Sequence, residues 1–228
     1  MQLKLASYNI HRCVGRDQRF NPERIVKVLQ ELDSDVVALQ EVPPLNEQGA
    51  EFLEQARAAT GLKAVADPTL LYHSGYYGNV LLTRFPVRAV RRIDLSVGKR
   101  EPRGAIDADL QCNNGTLQVI ATHLGLLQSE RRQQIRHLLG LVQDRIHPVA
   151  LLGDINEWLA WGGPLRWLHA HFGNSPAPRT FPSAYPLFSL DRIWISLPAR
   201  IRSSQAHITA LSRIASDHLP LKALVEWR

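Results

Sequence analysis

An α/β fold is what this sequence predicts, on three observations. Short apolar runs bounded by turn residues recur along the chain, and each reads as a buried strand. Between them lie segments whose apolar residues repeat at helical spacing behind recognisable start signals. The chain of 228 residues is 45% hydrophobic and 21% charged, which suits one large domain, or two tight halves sharing a core, and excludes a disordered or fibrous chain.

Leu3 to His11 begins with apolar residues at 3 and 5 and reads as a strand with Asn9 near its end. Asn21-Pro22-Glu23 is a helix start: Asn accepts from a free N–H of the first turn, Pro sits where no N–H is needed, and the acid faces the positive end of the helix dipole. Ile25, Val26, Val28, Leu29 and Leu32 then share one face. Val36 to Leu39 is a second strand, followed by Gln40-Glu41 and stopped by Pro43-Pro44. A helix is expected over 47–59 with Gly61 as its stop, then a strand over 62–66, a loop over 67–78, a strand over 79–83 and an edge strand over 87–95. Ile106, Ala108 and Leu110 alternate with Asp107 and Asp109, which predicts a half-buried strand. Asn113-Asn114-Gly115 turns the chain into its partner over 117–122, with His123 at the end.

Ser129-Glu130 opens a basic helix that buries Ile135, Leu138, Leu139 and Val142 and leaves Arg131, Arg132 and Arg136 to solvent. Val149 to Leu152 is an apolar run that passes straight into Gly153-Asp154-Ile155-Asn156. If the chain stays extended, Asp154 and Asn156 project to the same side. A helix over 164–172 and a proline-rich irregular connection over 173–186 lead to a strand over 190–195. There Asp191 shares the face of Ile193 and Ile195, so a carboxylate points where apolar residues point. Strands are expected over 206–210 and 221–227, on either side of Ser216-Asp217-His218-Leu219-Pro220.

Polar residues therefore recur at strand ends: Asn9, Glu41, His123, Asp154 with Asn156, and Asp217 with His218. Gly-Asp-Ile-Asn alone reads first as an Asx turn, and the recurrence is what makes it a site. In open α/β sheets, sites gather beyond the strand ends. Oxygen donors without a cysteine cluster suit a hard cation, Mg2+ or Mn2+. Histidines beside carboxylates suit proton transfer near neutral pH. Together these are a kit for phosphoester hydrolysis. His11 and His73 are single loop histidines and read as solvated, while Trp158, Trp161 and Trp167 read equally as core packing or as a grip on bases or lipid.

Seven short motifs, in order, carry a resemblance: Ser7-Tyr8-Asn9-Ile10-His11, Leu39-Gln40-Glu41, Tyr77-Gly78-Asn79, Thr122-His123-Leu124, Gly153-Asp154-Ile155-Asn156, Leu190-Asp191-Arg192-Ile193 and Ser216-Asp217-His218-Leu219-Pro220. As an ordered set spanning nearly the whole chain, they resemble the endonuclease/exonuclease/phosphatase superfamily, the fold of pancreatic deoxyribonuclease, abasic-site endonucleases and neutral sphingomyelinases. The resemblance implies one catalytic domain over 1–228, built as a four-layered α/β/β/α sandwich of two packed mixed sheets with outer helices. It implies Glu41 as the main metal ligand, with Asn9 and Asp217 on the metal side. Asp154 falls beside the attacking water, Asn156 on the scissile phosphate, and His218 becomes the catalytic histidine with Asp191 as its buried partner. His123 matches the phosphate-binding or acid histidine of the deoxyribonuclease and sphingomyelinase branches. The deoxyribonuclease pairs that histidine with a glutamate, whereas the nearest region here offers Tyr76 and Tyr77. Asn79 and Arg103 are expected in site scaffolding and phosphate contact.

The implied activity is a divalent-metal-dependent phosphodiesterase, with nucleic acid as the favoured substrate and a phospholipid or small phosphoester as the alternative. A binding protein without catalysis is disfavoured, because no expected acid, amide or histidine is missing. Lys and Arg outnumber Asp and Glu by 27 to 21, and Arg84, Arg88, Arg91, Arg92, Arg100 and Arg103 would track a phosphate backbone if they shared a face. No apolar run is long enough to span a bilayer, so membrane contact, if any, is peripheral and with an anionic surface. Met1 leads directly into a strand, which leaves no secretory signal, and Cys13 and Cys112 make no disulfide framework. The expected compartment is the cytoplasm.

Overall fold

A computed structural model describes residues 1–44, 47–66, 78–143, 146–159 and 161–227. Three apolar layers run through it, and the layers follow from strand alternation. In β1 (Gln2–Asn9) the odd residues Leu3 and Leu5 join a central core, while the even residues Ala6 and Tyr8 join an outer one. β2 (Val36–Val42) likewise sends Val36 and Ala38 inward and Val37 and Leu39 outward. These strands belong to a six-stranded sheet of order β10-β11-β1-β2-β4-β3, with β3 at Lys63–Ala66, β4 at Gly78–Thr83, β10 at Arg200–Ala206 and β11 at Leu221–Glu226. The second sheet has order β5-β6-β7-β8-β9: Val87–Asp94, Gly104–Cys112, Gly115–His123, Val149–Asp154 and Asp191–Ile195. Its inward residues, among them Ile106, Val119, Leu152 and Ile193, fill the central core from the other side.

Helices α1 (Pro22–Leu32) and α2 (Glu47–Thr60) cover the first sheet, and α3 (Gln128–Val142) and α4 (Gly163–Phe172) cover the second. A one-turn helix, α5 (Ser212–Ala215), precedes the last strand. The Asn21 side chain accepts from Arg24 N at 3.1 Å as the start signal requires. Glu130 does the corresponding work for α3 by accepting from Leu127 N at 3.0 Å. The result is the expected four-layered sandwich.

Each sheet holds one parallel pair joined by a helical crossover, β1–α1–β2 in the first and β7–α3–β8 in the second. Their strand ends meet at one end of the central core. Asn9, Asn79, His123, Asp154 and Asp191 all have the inward parity of their strands, so they cap that core instead of facing the helices.

Four expectations are corrected. The strand placed at 206–210 lies earlier, at Arg200–Ala206, because it is a polar edge strand with little apolar alternation to mark it. Asp107 is buried, not half exposed, and is held by Arg91 and by Gln118 Nε2 at 2.8 Å. Arg131 is buried against Glu157 at 3.3 Å, while Arg132 and Arg136 stay exposed. Asn156 does not continue the strand, for β8 ends at Asp154 and Asn156 has φ 53°. Cys13 and Cys112 are free and buried, and the loop expected over 67–77, with His73, Tyr76 and Tyr77, lies outside the described residues.

Candidate active site

At the site the Asn9 amide joins the two sheets. Asn9 Nδ2 donates to Glu41 Oε1 at 3.2 Å and, across the sheet interface, to Asp154 Oδ2 at 3.1 Å. Its own Oδ1 accepts from His11 N at 3.1 Å, which fixes the amide orientation because a backbone N–H can only donate. Asn9 is thus a clamp on two carboxylates, and its oxygen is already engaged.

Glu41 reaches this point against its strand's alternation. Asn9 pairs in register with Gln40, and even residues of β2 point inward, so Glu41 would face the outer helices. A bulge between Leu39 and Val42, with Glu41 at φ 55°, re-aims it. Asp154 needs no such device, since it is in register with His123 in the parallel pair. Its Oδ1 accepts from Asn156 N at 2.9 Å. The Asx turn and the site are therefore the same feature: the turn carries the Asn156 side chain back over the strand end.

His123 is held from both sides. Arg103 Nη1 lies 2.9 Å from Nδ1, and Arg103 Nη2 donates to Glu101 Oε2 at 2.7 Å. A guanidinium has only donors, so Nδ1 accepts and the neutral ring carries its proton on Nε2. Burial, then the charges of Arg103 and His218, hold the His123 pKa well below the usual histidine value, so the ring is neutral. Nε2 lies 3.0 Å from Asn156 Nδ2, which also donates to Leu124 O at 2.9 Å. Two N–H donors therefore converge without being able to satisfy each other, and an oxyanion that both can reach resolves the conflict.

His218 is the opposite case. Its Nδ1 lies 2.9 Å from Asp191 Oδ2, which also accepts from Thr180 Oγ1 at 2.5 Å. Its Nε2 lies 3.7 Å from Asp154 Oδ2. Burial opposes a charge here, but the carboxylates of Asp191 and Asp154 outweigh it and push the pKa up to about 10. Asp154 is pushed up to about 6, first by burial and also by the Asp191 charge, against the lowering effect of charged His218 and of the Asn9 and Asn156 N–H groups. Asp191 Oδ1 is buried with no hydrogen-bond partner among the described residues, a cost the imidazolium offsets.

Asp217 stands at the open side, with Oδ1 3.9 Å from His11 Nδ1 and 3.3 Å from Ser216 Oγ. Asn79 Nδ2 donates to Gly104 O at 2.9 Å, which ties β4 to β6 across the two sheets. With Glu41, Arg103 and His123 it lines a small cleft. Every expected site residue is thus at one end of the sandwich, although Asn79 acts there through the backbone. Ser216, from the last motif, donates through Oγ to Asn9 O at 2.8 Å, but two supporting groups carried no sequence signal: Thr180 on Asp191, and Phe181, whose ring centroid is 4.8 Å from that of His218. Each is a common residue in an irregular segment.

The six arginines between Asn79 and Gly104 do not share a free face. Arg84 pairs with Asp35 at 2.8 Å, Arg91 with both Asp107 and Asp109, Arg100 with Glu130 at 3.8 Å and Arg103 with Glu101.

Comparison with known proteins bears on the fold and the family. An Escherichia coli relative, the uncharacterized protein YbhP, is 29% identical across 96% of this chain and 94% of its own length. A functionally unknown conserved protein from Enterococcus faecalis superposes with TM-score 0.82 at 19% identity, covering 99% of this chain and 100% of that one. An endonuclease/exonuclease/phosphatase from Beutenbergia cavernae superposes with TM-score 0.77 at 23% identity, covering 99% of this chain and 71% of that one. The model of the Endonuclease/Exonuclease/phosphatase family matches residues 6–218, and the chain belongs to that family.

Proposed function

We propose that the protein is a divalent-metal-dependent phosphoester hydrolase, working as a phosphodiesterase. One observation carries the reading. Asp154 Oδ2 is approached by three different groups, Asn9 Nδ2 at 3.1 Å, His123 Nε2 at 3.6 Å and His218 Nε2 at 3.7 Å. A carboxylate in that position accepts a proton from water, and the N–H groups around it receive the charge of a phosphate.

The roles divide accordingly. Asp154, with its pKa near 6, is ionised at neutral pH and is the base. His218 is already charged and cannot take a proton from water, so its Nε2–H stabilises negative charge on the phosphate while Asp191 holds the ring through Nδ1. His123 acts as a neutral donor: its Nε2–H and the Asn156 amide seat a phosphate oxygen, and Arg103 fixes the tautomer that makes this work. The acid role for His123 is the weaker alternative, because burial and Arg103 both oppose an imidazolium.

The donor set fits Mg2+ or Mn2+. Glu41 is a hard oxygen donor held by the Asn9 amide, and Asp217 offers a second carboxylate on the open side. The tight group of Asp154, Asp191 and His218, within 4.8 Å of one another, is a poorer metal site, since a charged histidine offers no lone pair. A cation held at Glu41 supplies neutralisation of the phosphate charge.

Nucleic acid is the substrate that the basic composition favours, but four of its six arginines in this stretch are paired with acids. A phosphoester panel run in EDTA, Mg2+ and Mn2+ tests the reading. EDTA should abolish turnover, either metal should restore it, and Glu41→Gln should lose at least about a hundredfold while melting normally. Full turnover in EDTA would overturn the metal-dependent reading.

A further inference from the structure

Exposed apolar residues gather around the mouth of the site. The segment after β7 exposes Leu126 and Leu127, and the segment after β8 exposes Trp158, Leu159 and Trp161. The connection into β9 exposes Tyr185 and Leu187, the first 80% and the second 60% accessible. Trp161 is 75% accessible. A folded protein rarely leaves several such side chains together in water without a use for them.

Named contacts make these segments one rim. Arg131 donates to Leu126 O at 2.5 Å and to Glu157 at 3.3 Å, joining the first segment to the second. Trp158 packs edge-on against Phe181 and Phe188 at 5.7 and 4.8 Å, joining the second to the third. Phe181 reaches the His218 ring, so the rim runs into the site itself.

Its charge is one-sided. Glu130 and Glu157 are the only acids in residues 124–143 and 157–188, and both are buried. Arg132, Arg136, Arg166 and Arg179 in the same stretches are exposed. Arg132 and Arg166 each bring a guanidinium against Gly163, two residues from Trp161.

We propose that this rim docks the protein on an anionic phospholipid surface and that the phosphoester presented to His218 and Asp154 is carried by a lipid. Apolar tips beside exposed arginines, with no exposed carboxylate in these two stretches, match an interface of acyl chains under anionic headgroups. Nucleic acid would use the aromatic rings and the arginines, but the leucines gain nothing from bases or phosphates and gain from acyl chains. The lipid substrate rests on the hydrolase reading above, whereas the docking does not.

Co-sedimentation with mixed phosphatidylglycerol and phosphatidylcholine vesicles tests it, in EDTA so that no turnover intervenes. The wild-type chain should pellet, with the tryptophan emission shifted to the blue. The triple variant Leu126→Ser, Trp161→Ser, Leu187→Ser should bind at least about tenfold more weakly and keep its turnover of a small soluble phosphodiester in Mg2+. Arg132→Gln with Arg166→Gln should weaken binding to the mixed vesicles and leave any binding to pure phosphatidylcholine unchanged. A wild-type chain that stays in the supernatant, a triple variant that pellets like wild type, or retention by single-stranded DNA in place of vesicles would each overturn the proposal. Vesicle binding without turnover of any phosphoester would remove the hydrolase reading and leave the docking standing.

Discussion

The two crossovers β1–α1–β2 and β7–α3–β8 are built alike and end differently. Both are parallel pairs whose C-terminal ends open at the same place. The first ends in Asn9 and Glu41, with Asp217 beside them, and this side is open: the Asp217 side chain is 37% accessible. The second ends in His123 and Asp154, and with Asn156 and His218 it forms a cluster in which every member is buried. The buried side sets pKa values, because burial and fixed neighbours act there with little screening. The same backbone unit thus ends in two different environments, decided by the residues at its strand ends and by their burial.

The largest expected effect comes from breaking the buried half. His218→Ala and Asp191→Asn should each lower kcat by about a hundred- to ten-thousandfold, and the double variant should be little worse than the worse single. Raising Mn2+ should recover part of the Glu41→Gln activity but none of the His218→Ala activity. Strictly multiplicative losses in the double variant would show that the pair does not act as a unit.

A smaller effect sharpens the electrostatic difference between the halves. The folded His218 pKa, about 10, lies above the unfolded value, so its contribution to stability is full below the unfolded pKa of about 6.5 and is lost as the pH rises towards 10. Measured in EDTA, the melting-temperature gap between wild type and Asp191→Asn should be widest near pH 6 and should narrow as the pH approaches 10. A gap independent of pH would mean that Asp191 does not hold the charge on His218.

The smallest effect concerns Arg103. Removing its donor frees Nδ1 of His123 to take the proton, and Nε2 then ceases to donate. Arg103→Met should raise KM about tenfold with a lesser change in kcat, and Arg103→Lys, which can still donate, should recover part of the loss. An unchanged KM would place the phosphate elsewhere.

These tests depend on features that differ in how far the residues announce them. Asn21-Pro22-Glu23 specified where α1 begins, and the alternation of β1, β2 and β8 specified which residues cap the central core. Asp191 announced itself as a carboxylate on an apolar face. Glu41 did not reveal how it reaches the site, since a bulge leaves no mark in alternation. Nor did Arg103, expected in site scaffolding and phosphate contact, reveal that it would take the place of an acid beside His123, because that partner lies on another strand. The arginines of β5 looked like a free charged face because their acids lie across the ladder, as Asp107 and Asp109 do for Arg91. The polar strand β10 was misplaced for want of any periodic signal.

In the first sheet β1 lies between β2 and β11, so β1 gains one of its two neighbours only after β11 has been made. Such long-range pairing is slow to form. Ser216 Oγ closes the same gap at the site by donating to Asn9 O, and His218 arrives on the same segment. A growing chain therefore carries Glu41 and Asp154 before it carries His218, whose Nε2 faces Asp154, and the site is completed only when that later segment has folded back onto β1.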